Sequence, residues 1–407
     1  MQRTIFILIF FLFGKNVVAQ LGCTDSQATN FDLNATINDG SCTYPSTNYS
    51  LNEITVLPPF INENSGLAFF NDQLWTHNDG GGEDKLYQID SMTGVLLQTV
   101  NIAGADNKDW EDLAEDADHI YIGDFGNNNG DRTDLKIYKV KKSDFASGVA
   151  SAETIEFSYS DQTNFTPANH ANDYDCEAFF YHDDSLHLFS KNWLNQKTRH
   201  YVLPATAGTH TAELRDSLNV QGLITGADIS DDGVVALLGY TLSGVNMMWL
   251  CFDYQGSNFF SGNKRKISLG LALNNSQTEA IVFRENSYGY ISAEAFANLD
   301  AKLHQFNMSQ WTTNNTVSNE DFFIKNKIRI FPNPTSGVVN IDFENVLLRE
   351  NFEIDLFNAQ GQFLQKRIQE SGGVLTWNLE HLPKGIYFLQ IRNTDGFDFL
   401  IKKISNH

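Results

Sequence analysis

Five residues in the middle of this chain have the types and the recurrence to handle a cation. Ser65, Glu111, Glu177, Gly226 and Glu279 open five similar segments: Ser65-Gly66-Leu67-Ala68-Phe69, Glu111-Asp112-Leu113-Ala114, Glu177-Ala178-Phe179-Phe180, Gly226-Ala227-Asp228-Ile229 and Glu279-Ala280-Ile281-Val282-Phe283. Thirteen positions after each lie Asn78, Asp124, Ser190, Gly239 and Ser292, at the ends of LWTHN, IYIGD, LHLFS, VALLG and YGYIS. Equivalent residues around one axis would bring three carboxylates together. At about 5 Å and an effective dielectric near 20, each pair repels by roughly 3 kcal/mol. A hard cation removes that cost, and calcium takes about six to eight oxygens from carboxylates, hydroxyls, carbonyls and water. A cation, calcium by its preference for such oxygens, is therefore expected within this ring. A wide channel with separately hydrated glutamates is the alternative.

A second group sits at or just beyond the ends of the second strands. His77, Asn78, Asp124, Ser190, Lys191 and Trp193 are the expected binding residues, with Trp75, Asp79, Trp110, Asp173 and Tyr240 nearby. Aromatic rings beside carboxylates suit a carbohydrate, and Asp79 and Asp124 are the candidate general bases of a hydrolase. Packing between sheets also consumes aromatics, so the same residues serve a purely architectural reading. The run Asn127-Asn128-Asn129-Gly130-Asp131-Arg132 fits a second calcium or, preferably, a series of turns capped by side chains. The sequence contains no Gly-x-Ser-x-Gly, His-Glu-x-x-His, phosphate-binding glycine loop or Cys-x-x-Cys. Its histidines lack zinc-ligand spacing, and Cys176 and Cys251 are expected as buried thiols.

The elements that must position these residues are short strands. Each segment reads as strand, turn and strand. Third strands follow at 86–90, 135–140, 199–203, 247–254 and 302–308, and fourth strands at 95–102, 154–160, 212–220 and 264–269. Units separated by 46, 66, 49 and 53 residues predict an all-β chain with a five-bladed β-propeller over 49–312. Six blades require an extra one inside the 66-residue spacing. The fifth unit lacks a fourth strand, and residues 51–57 are expected to supply it and latch the ring.

Charge and composition narrow the partners. The 407 residues hold 28 Lys+Arg against 50 Asp+Glu, a net charge of −22, which argues against nucleic acid and anionic membranes. Arg3, the apolar run 5–13 and Val17-Val18-Ala19 read as a signal peptide over 1–19, and no later run is long enough for a transmembrane segment. The protein is expected to be a secreted monomer. Cys23 and Cys42 bound an acidic, nearly core-less segment (20–45), for which a disulfide is the expected staple. The wording GCTD…DGSC.Y is similar to a cysteine-bounded repeat of secreted bacterial proteins, sometimes likened to calcium-binding thrombospondin type 3 repeats. That resemblance would make Asp25, Asn30, Asp32, Asn34 and Asp39 calcium ligands; a solvated acidic spacer is the plainer reading.

A polar linker over 313–325 precedes a change of pattern, with alternating apolar and polar residues over 326–407. This end resembles the type A C-terminal sorting domain of the type IX secretion system, through Pro332-Asn333-Pro334, Asn358…Gly361, Gly385-Ile386-Tyr387 and Lys402-Lys403. The resemblance implies a small β-sandwich, the type IX machinery as a partner, and delivery to the extracellular space or the outer-membrane surface. An accessory immunoglobulin-like binding domain is the competing reading. The middle of the chain is similar to secreted propellers of the SdiA-regulated type. It also resembles the calcium-activated apyrases, through Ser65-Gly-Leu-Ala-Phe-Phe-Asn-Asp-Gln-Leu-Trp and Glu111…Ile120-Tyr121-Ile122-Gly123. The apyrase resemblance implies an axial cation at Ser65, Glu111, Glu177 and Glu279. It departs at Gly226, where a hydroxyl is expected and Thr225 is adjacent. It departs again at His77, Asn78 and Asp79, where the acidic pair and matching arginines are missing, so nucleotidase activity does not transfer. Two functions remain: an extracellular binding module for a glycan or protein, and a calcium-dependent hydrolase of a phosphoester, phosphoanhydride or glycoside.

Overall fold

The computed structural model describes residues 20–312, 329–342, 352–360, 362–369, 373–393 and 399–406. The expected signal peptide and the linker at 313–325 lie outside the described residues. Two compact units divide at residue 314. The chain is all-β.

The larger unit contains five antiparallel sheets in chain order. Sheet one is Asn64–Phe70, Gln73–Asn78, Lys85–Ile89 and Leu96–Ala103. Sheet two is Trp110–Glu115, His119–Asp124, Lys136–Lys141 and Val149–Tyr159. Sheet three is Asp175–His182, Ser185–Lys191, Thr198–Pro204 and Gly208–Leu218. Sheet four is Leu223–Ile229, Val235–Tyr240, Val245–Phe252 and Asn263–Leu271. Sheet five is Gln277–Glu285, Tyr288–Glu294 and Lys302–Asn307, completed by Asn52–Val56, which pairs antiparallel with its third strand. The fourth strand that residues 51–57 are expected to supply to the fifth unit is therefore present.

Hydrophobic pattern follows position within each sheet. The second strand Val235–Tyr240 is buried along all but its last residue, as a strand covered on both faces must be. The fourth strand Val149–Tyr159 largely alternates exposed and buried residues instead, as a strand with one face toward solvent does. This long strand also pairs in parallel with the fourth strands of sheets one and three, stitching three sheets together at their outer edges. The 66-residue spacing is filled by this strand and the 160–174 connection, with no further sheet between.

The first strand of each sheet touches the first strand of the next, and that of sheet five touches that of sheet one. Each interface has its own apolar cluster. Trp75, Trp110 and Phe145 lie between sheets one and two, and Tyr121, Phe125, Phe179 and Tyr201 between two and three. Phe180, Phe189 and Leu237 fill the next, Leu250, Ile281 and Phe306 the fourth, and Leu67, Leu74 and Leu303 the last. Trp75 and Trp110, expected near a channel mouth, are thus packing residues.

The Cys23–Cys42 disulfide is formed, but the segment it closes is no free spacer. Asn38 donates to Asn263 Oδ1 at 3.0 Å, Lys264 to the Gly40 carbonyl at 3.3 Å and Gln27 to the Gln310 carbonyl at 2.8 Å. Arg265 lies 4.8 Å from the Tyr44 ring centre and 5.6 Å from that of Trp311, and donates to Gln27 Oε1. Asp25 accepts from Tyr44 Oη and Gln27 N, Asp32 from Asn34 N, and Asp39 from Ser41 N. Those carboxylates cap turns within the segment, while Asn38, Gly40, Gln27 and Tyr44 hold it against sheet four.

The smaller unit has a three-stranded sheet (Arg329–Phe331, Val338–Asp342, Val374–Asn378) and a four-stranded one in the order Phe363–Gln369, Phe352–Asn358, Gly385–Asn393, Phe399–Asn406. Val339, Ile341, Ile354, Leu356, Trp377 and Leu389 are among its core residues. Asn333 ties the Pro-Asn-Pro stretch to the last strand, donating to the Lys403 carbonyl at 2.7 Å and accepting from Ser405 N at 3.0 Å.

Two expectations test this architecture. A Cβ at Gly226 would stand 2.7 Å from the Glu279 carbonyl oxygen. Gly226→Ala is accordingly expected to destabilise the larger unit by about 1–3 kcal/mol in urea unfolding. Replacing Cys23 and Cys42 together with Ser opens a crosslink spanning 19 residues, with an expected loss of about 3 kcal/mol in the same measurement.

Candidate functional site

Each of the five first strands carries a β-bulge near its start, where pairing with the second strand skips. The skipped residues are Ser65-Gly66, Glu111-Asp112, Glu177, Thr225 and Glu279. A bulge leaves its extra residue out of the ladder and re-aims its side chain, so these are the ring positions. Four agree with the sequence expectation. In sheet four the residue that leaves the ladder is Thr225 and not Gly226, which pairs with Leu238. Thr225 donates its hydroxyl to the Thr278 carbonyl at 2.9 Å.

Four of the five ring residues, Ser65, Glu111, Glu177 and Glu279, share one cavity of about 230 Å³, lined by them together with Asp79, Lys191, Trp193, His170, Tyr240 and Glu294, while Thr225 stays outside it. Ser65, Glu111, Glu177 and Glu279 retain 5%, 4%, 6% and 7% of their surface. Of the expected binding residues, only Lys191 and Trp193 line it, together with Asp79. Lys191 is not a rim residue: it is buried and donates to Glu177 Oε2, its ammonium 5.1 Å from the Trp193 ring centre and 5.5 Å from that of Tyr240. Trp193 donates to Asp175 Oδ2 at 2.8 Å and stacks on His170 at 4.2 Å.

The other expected site residues are tied into the frame. Asp124 is fully buried, paired with Arg132 Nη2 at 2.9 Å and accepting from Asp109 N at 3.1 Å, and so is not poised as a general base at the rim. His77 is buried between strands with Nδ1 2.8 Å from the Asn78 carbonyl, and burial lowers its pKa to about 4. Asn78 donates to the Phe60 carbonyl. Ser190 donates to Asn192 Oδ1 at 2.6 Å and accepts from Arg199 N. In the asparagine run, Asn127 Oδ1 accepts from Arg132 N and Asn127 Nδ2 donates to the Tyr174 carbonyl, the capped turns expected there.

Asp109 and Glu294 were not singled out from the sequence. The signal for Asp109 is its place two residues before Glu111 at the entry to a first strand. Its carboxylate, that of Asp79 and that of Glu111 offer oxygens within 4.8 Å of one another. Burial, then the charge of Asp79, push the Asp109 pKa up to about 7. Burial raises Glu111 well above the usual range, with Asp79, Glu177 and Asp109 adding to it. Burial likewise raises Asp79, Asp175 and Glu279. Burial works to lower Lys191, but Glu177, Tyr240, Glu279 and Asp175 outweigh it and hold the ammonium charged. The arrangement is a crowd of carboxylates with too few cations, suited to a divalent ion.

Residues 329–405 match the family described as the secretion system C-terminal sorting domain. The protein is a type IX secretion cargo, secreted and attached at the surface. Among the described residues no helix is long and apolar enough to cross a membrane. No curated protein matches the chain. Among solved structures, PorZ, a bacterial surface component of the type IX secretion system of Porphyromonas gingivalis, is 13% identical with a TM-score of 0.30; the match covers 84% of this chain and 45% of PorZ. An exo-β-1,3-galactanase from Phanerochaete chrysosporium is 11% identical with a TM-score of 0.40, covering 91% of this chain and 97% of the enzyme. The chain spans less than half of PorZ, and at these scores neither structure bears on fold or chemistry.

The raised carboxyls give a pH expectation. A carboxyl whose pKa is higher folded than unfolded costs stability when ionised, so for Asp109 the cost is complete above about 7 and absent below about 4. In chelator, the melting temperature of the full chain should therefore rise as pH falls from about 8 to about 5. Asp109→Asn should flatten that rise, as read by differential scanning calorimetry.

Proposed function

We propose that the larger unit is a five-bladed β-propeller, of the kind its sequence resembles, and that it acts outside the cell as a binding module for a glycan or a protein. In this reading a calcium ion occupies the cavity that Ser65, Glu111, Glu177 and Glu279 line. The observation carrying it is the convergence of bulge-borne carboxylates on one cavity, where Lys191 is the only Lys or Arg among the described lining residues. Calcium fits that donor set because carboxylate and hydroxyl oxygens are hard ligands with no demand for one fixed geometry. A cavity of about 230 Å³ accepts one sugar ring or one side chain, and Trp193 and Tyr240 give it an apolar wall.

Binding is favoured over hydrolysis because Asp124, one of the two candidate bases, is locked by Arg132. Asp79 does face the cavity. Turnover of a phosphoester, phosphoanhydride or glycoside that disappears in Asp79→Asn would replace the binding reading with the hydrolase.

The test is the melting curve of the full chain in chelator and after calcium is restored. An ion bound only by the folded state at a hundredfold excess over its Kd stabilises by about 2.7 kcal/mol, so a reversible rise of several degrees is expected. Equal curves would remove calcium from the reading and leave the propeller rim for glycan and protein screens.

A further inference from the structure

We infer that the divalent ion sits off the axis, at Asp79, Asp109 and Glu111, and that the Lys191 ammonium fills the axial place beside Glu177. This rests on the calcium reading above and specifies its seat.

The two sides of the cavity are provided for differently. On one side every carboxylate has a partner: Glu177 takes Lys191, Glu279 and Glu294 share the Gln277 amide, and Asp175 takes Trp193 Nε1 and Asn127 N. On the other side, Asp79 accepts only the neighbouring Gly80 N–H. Glu111, 4% exposed, faces the cavity and accepts no hydrogen bond from any described residue. The Asp109 carboxylate is likewise without a donor among the described residues. Asp79 and Asp109 are half-buried, but a carboxylate as buried as that of Glu111 costs several kcal/mol unless something compensates it.

The backbone around the three is shaped to admit them. A Cβ at Gly80 would overlap Asp109 Oδ1, and a Cβ at Gly126 would overlap Glu111 Oε1 and Asp109 Oδ2. Two glycines thus form a cradle that any side chain would fill. The Asn64 side chain, 1% exposed, also lines the cavity and its Oδ1 has no partner. Oxygens within 4.8 Å of one another are within reach of one ion at calcium–oxygen distances of about 2.3–2.6 Å.

Three carboxylates supply about three to six of the six to eight oxygens calcium takes. Asp79 and Glu111 border the cavity while Asp109 stands behind them. The ion's remaining positions therefore face the cavity, where hydroxyl or carboxylate oxygens of an extracellular ligand can complete them. The ligand class this geometry selects is an oxygen chelator, such as the vicinal diol of a sugar.

Calorimetric titration of calcium chloride into the full chain tests the seat with two variants. Asp109→Asn is expected to weaken binding on the order of tenfold or more, since charge count sets affinity in such sites. Glu279→Gln is expected to change it by less than about twofold on the same ground. In chelator, Asp109→Asn should melt no lower than wild type, because it removes a repelling charge; this shows that lost binding is not lost folding. Weakening in Glu279→Gln, alone or with Asp109→Asn, places the ion on the axis and overturns the inference while the calcium reading stands. A wild-type chain that binds no calcium overturns both.

Discussion

Carboxylates crowded around one small cavity are the constraint on which the rest of the larger unit depends. Glu111, Glu177 and Glu279 come from three different sheets, and each is nearly buried. Their repulsion opposes the contact of first strands that brings the sheets together. Lys191 offsets part of it from within the fold. Five apolar interfaces supply the opposing attraction, so the cavity is tolerated and not spontaneously favourable. A site that costs stability when empty is a site whose occupant stabilises the protein, which links binding to folding.

Neighbouring carboxylates in this unit serve different ends, and the backbone decides which. Asp112 follows Glu111 in the same bulge, yet its Oδ2 accepts N–H groups from Phe179 at 3.2 Å and Ala227 at 3.3 Å, while Oδ1 accepts from Leu113. One side chain from sheet two thereby satisfies donors of sheets three and four. Asp228 does the same between sheets four and five through Phe283 N. Those acids are structural, since buried backbone donors need acceptors. Among the described residues the Glu111 and Asp109 carboxylates have no such donors.

The two compact units divide the labour of an exported protein. The smaller carries the sorting signal, and its Asn333 clasp shows why the Pro-Asn-Pro motif belongs to a fold and not to a linear tag. The larger unit must persist outside the cell, and its closing sheet borrows a strand from the N-terminal side. The disulfide-bounded segment packs beside that closure through Arg265, Tyr44 and Trp311. An oxidising environment outside the cell suits the disulfide.

By itself the sequence determined the strand content, the fivefold recurrence, the completing strand within 51–57, the Cys23–Cys42 bridge and the sorting end. These were legible because each rests on local periodicity, turn residues or short motifs. It also picked out Ser65, Glu111, Glu177 and Glu279, since a repeated register marks equivalent positions. The tertiary structure alone decided that Thr225 replaces Gly226 at the bulge, because strand pairing sets which residue leaves the ladder. It alone turned Lys191 inward, sealed Asp124 against Arg132, spent Trp75 and Trp110 on packing, and brought Asp109 to Asp79 and Glu111. Those outcomes depend on contacts between residues far apart in the chain, and no local pattern encodes which buried carboxylate meets a partner and which is left bare.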